Sequence, residues 1–468
     1  MNTYTALKLI EANSGVVTSK IIKDLISEYS GIHRKMKQDY DRYKAEQLPI
    51  HFREQKKQDK PNNKLNNDYR GEIVDQGVGY LFGKPITYRL NKESYAGNES
   101  GYETDRLKLQ EFLKTSFIED LDTETGKKGS ICGVGTRLCY VNKNGQECVM
   151  NVPPWEVILI YDASLNIVQY ALRYYEIQQV DGNAVKTRTR VEWYDNQEVT
   201  YYISDDNKNY ILDTNESTNP QLHMFDMVPV IEFPNNEERL NDFKKVEANI
   251  DAYDKTLSII QDEIEEFRNA YMAFLGCTID EPTKKLLEET GALSLPGDGA
   301  DVKFLIKDLN GEYFEKHKKT LKENIYRFSK TVDMSAETFT GSGASGETRK
   351  WLLLALEFRA GIQALKFSKG LTQMFQVLTT AWEKKKITLS WKNIEFTFDR
   401  NMPAELKQES EIQSVLNGVI SDRTRLSLFS AVRDVDEEIK QMEKENDLKV
   451  DLDAVNPDET VNPEASTQ

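Results

Sequence analysis

Gly341, Gly346 and Thr348 fall in the pattern G-x-x-x-x-G-E-T, one residue away from a phosphate-binding P-loop. In a P-loop the backbone N–H groups cradle the phosphates and a lysine neutralises them. Here Glu347 holds the lysine position and would repel a phosphate. A P-loop also needs a strand before it and a helix after it, whereas residues 312–332 have helical spacing. Nucleotide hydrolysis at Gly341–Thr348 is therefore the weaker reading. The stronger one is a small-residue loop, mobile because glycine is permissive, joining two long helices.

The remaining reactive residues assemble no site. Cys132, Cys139, Cys148 and Cys277 contain no C-x-x-C, and His33, His51, His223 and His317 are scattered. Reduced, buried thiols are expected, with no metal, no cofactor and no catalytic residue. G-x-S-x-G is absent. Lys316, Lys318, Lys319 and Lys322 cluster in one helical stretch and could touch phosphates weakly, or form an ordinary solvated face.

The chain has 468 residues and a net charge of -16. A protein that grips DNA by counterion release is basic on one face, so tight DNA binding is not expected. No 18-residue apolar run predicts a membrane span. The first ten residues lack the layout of a signal peptide, so the protein is expected to stay where it is made.

Residues 1–120 read as helices with polar links: 19–29, 34–44, 68–81 and 107–117, with 49–67 as a polar loop. Residues 130–233 change period, with strands rich in Val, Ile, Thr and Tyr expected at 157–161, 168–177, 185–194 and 198–203 around the turn residues Asp181, Gly182, Asn183, Asp195 and Asn196. An apolar stripe from Val246 to Phe274 predicts one helix over 237–274, about 57 Å long, whose many carboxylates would form a solvated face. Residues 276–310 read as an irregular insert, with a helical piece at 283–289 and strands at 293–295 and 302–306. A helix over 312–332 follows. A third helix, 347–385, is apolar almost all round, which predicts burial within the protein or against copies of itself. Gly361 and Gly370 predict a bend. Strands at 387–389 and 394–398, helices after Pro403 and Ser421, and a disordered acidic tail after Glu445 complete the chain.

The order of these parts resembles the portal proteins of tailed double-stranded DNA phages infecting Gram-positive hosts. Asn62-Asn-Lys-Leu-Asn-Asn-Asp68, Ile73-Val-Asp75 and Gly79-Tyr-Leu-Phe-Gly-Lys-Pro85 are similar to the family's N-terminal segment. Pro229-Val-Ile-Glu-Phe-Pro-Asn-Asn-Glu237, Asp242-Phe243, Ile250-Asp-Ala-Tyr-Asp254 and Ser258 resemble its approach to the stem helix. Gly418-Val-Ile-Ser421, Thr424 and Asp436-Glu-Glu-Ile439 resemble its crown. The likeness covers roughly residues 10–445. It departs at Phe339–Gly346, where many relatives carry Phe-Gly-Gly, then Ser-Gly and a lysine.

The resemblance implies an α+β, mainly helical portal fold with an antiparallel β meander. It implies a wing at 1–235, stem helices at 236–275 and 311–334, and a clip at 276–310. Further on come a tunnel loop at 335–346, a long wing helix with wing strands at 347–402, a crown at 403–445 and the tail at 446–468. The implied assembly is a ring of about twelve subunits around a DNA channel at one capsid vertex of the virion, put together in the host cytoplasm. Thr340, Gly341, Ser342, Gly343, Ala344, Ser345 and Gly346 would form the tunnel loop. Leu293, Pro296, Gly297, Asp298 and Gly299 would lie in the partner-docking clip. Terminase, a head-completion or adaptor protein, and the major capsid and scaffolding proteins are the implied partners, with double-stranded DNA held weakly and no membrane. A coiled-coil adaptor using the stripe from Val246 to Phe274 is the competing structural reading, and a packaging NTPase the enzymatic one.

Overall fold

The structure is a computed structural model. It describes residues 3–13, 15–55, 60–164, 166–181, 184–267, 271–275, 281–282, 285, 301–305, 311–335, 351–402, 406–429, 431–432, 435 and 438–445. The chain divides into two units, Met1–Asn401 and Met402–Gln468.

The first unit begins with helices α1 (Thr3–Ala12), α2 (Ser19–Tyr43) and α3 (Tyr69–Phe82), followed by strand β1 (Thr87–Leu90). Helices α4 (Glu99–Thr115) and α5 (Ile118–Cys132) lead to β2 (Val134–Val141) and β3 (Glu147–Val152). The meander is β4 (Val157–Tyr161), β5 (Val168–Asp181), β6 (Ala184–Tyr194), β7 (Glu198–Ser204), β8 (Ile211–Leu212) and β9 (Gln221–Leu222). β10 (Val230–Pro234) precedes α6 (Glu247–Phe267), β11 (Tyr271–Leu275), β12 (Asp301–Leu305), α7 (Gly311–Ser329), α8 (Leu354–Lys384) and β13 (Ile394–Thr397). The second unit holds α9 (Leu406–Leu416) and α10 (Asp422–Ser427), the latter capped by Ser421, which accepts from the Thr424 N–H.

All the paired strands named here are antiparallel. The fold is therefore α+β. Around β4 the meander is covered on both faces. Ile158 and Ile160 of β4 pack with Ile10, Ile22, Leu25, Leu172 and Trp193 under α1 and α2. Val157 and Leu159 point the other way, onto Leu138, Val152 and Val230 of the sheet β10-β2-β3. Double coverage explains why β4 reads as an unbroken apolar run rather than an alternating one.

Helix α5 has weak helix formers and no sequence signal of its own. Tertiary fit holds it. Asp122 receives a buried 2.7 Å ion pair from Arg137 of β2, a residue with no exposed surface. Gly133 ends the helix at φ +84°, where a Cβ would meet the Arg239 carbonyl at 2.1 Å. In α8, Gly370 lies where a Cβ would strike Phe233 of β10 at 2.4 Å. The helix runs unbroken through both of its glycines.

The structure corrects several sequence expectations. The segments 19–29 and 34–44 are one helix, α2, started by Thr18 accepting from the Ile21 N–H. The helix expected over 237–274 spans only 247–267. Asn236 accepts from the Leu240 N–H, Asn235 donates to the Leu240 carbonyl and Arg239 adopts φ +55°, so residues 235–240 form a turn. Residues 271–275 pair as a strand with 301–305, because a short apolar run fits both periods and a partner strand decides between them. The helix expected over 312–332 stops at Ser329, ahead of Lys330 at φ +60°. Residues 387–389 form no strand, although Leu389 is buried. The sequence reading had no helix over 118–132. The expected helical piece at 283–289, the strand at 293–295 and the acidic tail fall mostly or wholly outside the described residues.

Candidate functional site

Helix α6 carries Asp254, Ser258, Asp262 and Glu266, one polar side chain per turn. The polar segment after Arg53 runs beside them as a strap. The Asn67 N–H and Nδ2 both donate to Asp254 Oδ1 at 2.9 Å. The Leu65 N–H donates to Ser258 Oγ at 3.0 Å. The Asn63 N–H and Nδ2 donate to Asp262 Oδ1 at 2.7 and 2.9 Å, and Arg53 pairs with the same carboxylate at 2.8 Å. Lys60 reaches Glu266 at 3.0 Å.

The two periods match. Eight helical residues rise about 12 Å and four extended residues span about 13 Å. The expected solvated face is therefore a buried one here: Asp254 is 2% exposed and Ser258 0%. Burial pushes the Asp254 carboxyl above its ordinary range, partly offset by the donors of Asn67.

Helix α3 anchors what lies on either side of residues 336–350. Arg70 pairs with Asp251 of α6. Glu72 accepts from the Tyr326 hydroxyl at 2.9 Å, and Tyr69 stacks edge-on against Tyr253 and Tyr326. Gln76 brackets the Val332 backbone, donating to its carbonyl at 2.7 Å and accepting from its N–H at 3.1 Å. Tyr80, one turn on, donates to Glu357 of α8 at 2.8 Å, and Arg400 pairs with the same carboxylate. Hydrogen bonding to Arg400 holds the Glu357 carboxyl below its usual range. Both flanks of 336–350 thus attach to a single helix.

The four α7 lysines do not share a face. At 3.6 residues per turn, Lys318 and Lys322 flank the buried stripe of Leu321 and Ile325, while Lys316 and Lys319 point outward. Lys318 pairs with Glu315 at 2.6 Å, Lys322 with Asp333 at 2.7 Å and Lys319 with Glu323 at 4.0 Å. Lys316 has no ion pair among the described residues. Thr340, Gly341, Ser342, Gly343, Ala344, Ser345 and Gly346, with Leu293, Pro296, Gly297, Asp298 and Gly299, lie outside the described residues.

Helix α8 has two apolar stripes. Leu356, Ala360, Phe367, Leu371, Met374 and Phe375 are buried in the first unit. Trp351, just before the helix, with Leu354, Phe358, Ile362 and Leu365, forms a second stripe left open, Phe358 being 60% and Leu365 75% exposed. Phe328 at the end of α7 is also exposed. For the coiled-coil alternative, the start of the proposed seam is already occupied, since Val246, Ile250 and Tyr253 are buried, whereas Ile264 further along α6 is 50% exposed.

Cys132, Cys139 and Cys148 are buried thiols, and burial pushes Cys132 up to about 12. Nδ1 of His33 is 2.7 Å from the Tyr174 hydroxyl, and Nε2 of His223 is 3.1 Å from the Asp195 carbonyl. No group of three or more His, Cys, Asp or Glu among the described residues is placed to hold a metal ion. No described helix is long and apolar enough to cross a membrane.

Residues 22–450 match the family described as Phage portal protein, SPP1 Gp6-like. The chain belongs to this family of phage portal proteins. It is 26% identical over 404 residues to the portal protein of Bacillus phage SPP1, covering 82% of this chain and 76% of that protein. It is 23% identical over 399 residues to the portal protein of Clostridium phage phiCD119, covering 80% of this chain and 83% of that protein. Both are phages of Gram-positive hosts. Portal proteins are structural. Membership implies an oligomeric ring, a place at a capsid vertex and a part in genome packaging. Two of the segments that carried the sequence resemblance, 62–68 and 250–258, turn out to be the two sides of the strap ladder. Sequence reasoning missed that pairing. Its signals were the period-four polar row on α6 and the Asn-Asn repeat of the strap.

Proposed function

We propose that this portal protein forms the ring-shaped conduit through which the phage genome is packaged and ejected, and on which terminase and the head-completion or tail connector protein dock. The open stripe of α8 carries the reading. A helix that packs one apolar stripe inside its own subunit and leaves another outside is built to meet a further subunit. α6 and α7 would be the stem, with the insert between them as the clip. Residues 335–346, whose flanks are fixed on α3, would be the tunnel loop. The net charge of -16 suits a channel in which DNA slides rather than sticks. Lys316 and Lys319, on the outward side of α7, are the better candidates for weak phosphate contacts.

Negative-stain microscopy of the purified chain tests the reading: rings with a central hole are expected, and rod-like dimers would overturn it. Deleting Ser342–Ser345 should leave the rings intact and reduce packaged or retained DNA. Rings that fail to form would make the loop structural.

A further inference from the structure

A cavity of about 690 Å³ lies between α2 and the outer part of the meander. None of the anchoring described above uses it. Its helical wall is Lys23, Ser27, Ser30, Arg34 and Lys37, spaced four, three, four and three. All five are exposed, and Lys23, Arg34 and Lys37 make no ion pair among the described residues. A 4-3-4-3 stripe is the surface that a second helix reads when it packs nearly parallel to the first.

The opposite wall is the β5–β6 hairpin. β4 pairs with β5 only as far as Arg173, and β7 pairs with β6 only as far as Thr189. Beyond those points the hairpin is a two-stranded arm, which is marginal in water without a covering partner. Glu176 and Thr189 face the cavity as a cross-strand pair, so Val180 and Val185, two pairs further along by alternation, lie on the same face. These two valines are 73% and 65% exposed.

The charges around the cavity are unequal. Glu156 is engaged by Arg173 at 3.2 Å, which leaves Glu176 opposite three cations. His33 on the floor adds no charge at neutral pH, since burial pushes it down to about 4.

We infer that the angle between α2 and the β5–β6 arm is a docking groove for an acidic amphipathic helix of a partner protein. Its carboxylates would meet Lys23, Arg34 and Lys37, and its apolar side would cover Val180 and Val185. From Lys23 to Lys37 the wall runs about 21 Å, the length of a partner helix of about fourteen residues.

The test uses the full chain and a fluorescein-labelled helical peptide of about 20 residues, with glutamates at 4-3-4-3 spacing and valines beside them. Anisotropy should show saturable binding that weakens with salt. The variant Lys23→Glu/Arg34→Glu/Lys37→Glu should bind at least about tenfold more weakly, the sum expected of three exposed charge pairs. The same peptide with lysines in place of glutamates should bind that variant and not the parent. This reciprocal rescue shows that the variant is folded. Three results would overturn the inference: unchanged binding to the variant, equal binding of a scrambled peptide of the same charge, or displacement of the peptide by a short DNA duplex.

Discussion

Helices α6 and α8 are the two longest apolar-striped helices of the second half of the chain, and each reverses its sequence appearance. α6 looks half solvated and is not: Asp254, Ser258 and Asp262 are buried against the strap. α8 looks wholly buried and is not: Trp351, Phe358 and Leu365 stand outside. The difference lies in the partner each face finds. A polar face is buried at little cost when its acceptors meet donors at a matching period. An apolar face stays outside where no described segment lies over it.

The largest effect expected from this contrast is on assembly. Phe358→Glu with Leu365→Glu places two charges on the open stripe of α8 while leaving the buried stripe untouched. Sedimentation should show monomers instead of rings, with the far-UV circular dichroism unchanged, since exposed substitutions shift folding by about 0.5 kcal/mol or less. Rings that persist would remove α8 from the subunit contact.

The next effect is on folding, and it isolates α6. In the monomeric Phe358→Glu/Leu365→Glu background, Asp262→Ala strands the Asn63 N–H and leaves Arg53 without its carboxylate. Urea denaturation should show a loss of about 3 kcal/mol. Glu265→Ala, which removes only a 3.1 Å contact from Gln261 on the same helix, should cost about 0.5 kcal/mol or less. Equal losses would mean that the strap adds no special stability and that α6 is held by its apolar stripe alone.

The same contrast shows where sequence reading reaches and where it stops. The meander was legible because segments rich in Val, Ile, Thr and Tyr lie between turn residues, and those strands lie where the pattern put them. The α7 position was legible from Leu321 and Ile325. The strap ladder was not, because its halves lie about 190 residues apart (Asn63 with Asp262, Asn67 with Asp254) and each half alone looks like solvated polar sequence. Helix α5 was hidden for a related reason: its glycines and threonines are poor helix formers, and the Arg137–Asp122 pair that fixes it is tertiary. The open stripe of α8 was half legible. All-round apolarity allowed burial against copies of the chain, but only the packed structure separates the stripe used inside from the one left over.

The smallest effect decides whether charge or hydrogen-bond acceptance holds the strap. Burial raises the folded-state pKa of Asp254 above the ordinary 3.8. The folded protein therefore binds that proton more tightly than the unfolded chain does. This titration favours folding below pH 3.8, and the benefit is lost as the pH rises through the raised value. Acid should not release the strap through this residue. Asp254→Asn keeps an oxygen for the Asn67 N–H and has nothing to titrate. At neutral pH it should match the parent within about 1 kcal/mol, whereas Asp254→Ala, which orphans that N–H, should lose about 2 kcal/mol. Between pH 3.8 and the raised value, the parent should gain on the Asn variant as the pH falls. If Asn proves as damaging as Ala, the ladder is electrostatic, with Arg70 rather than Asn67 as the partner that matters, and the matched spacing of strap and helix is not what buries this face of α6.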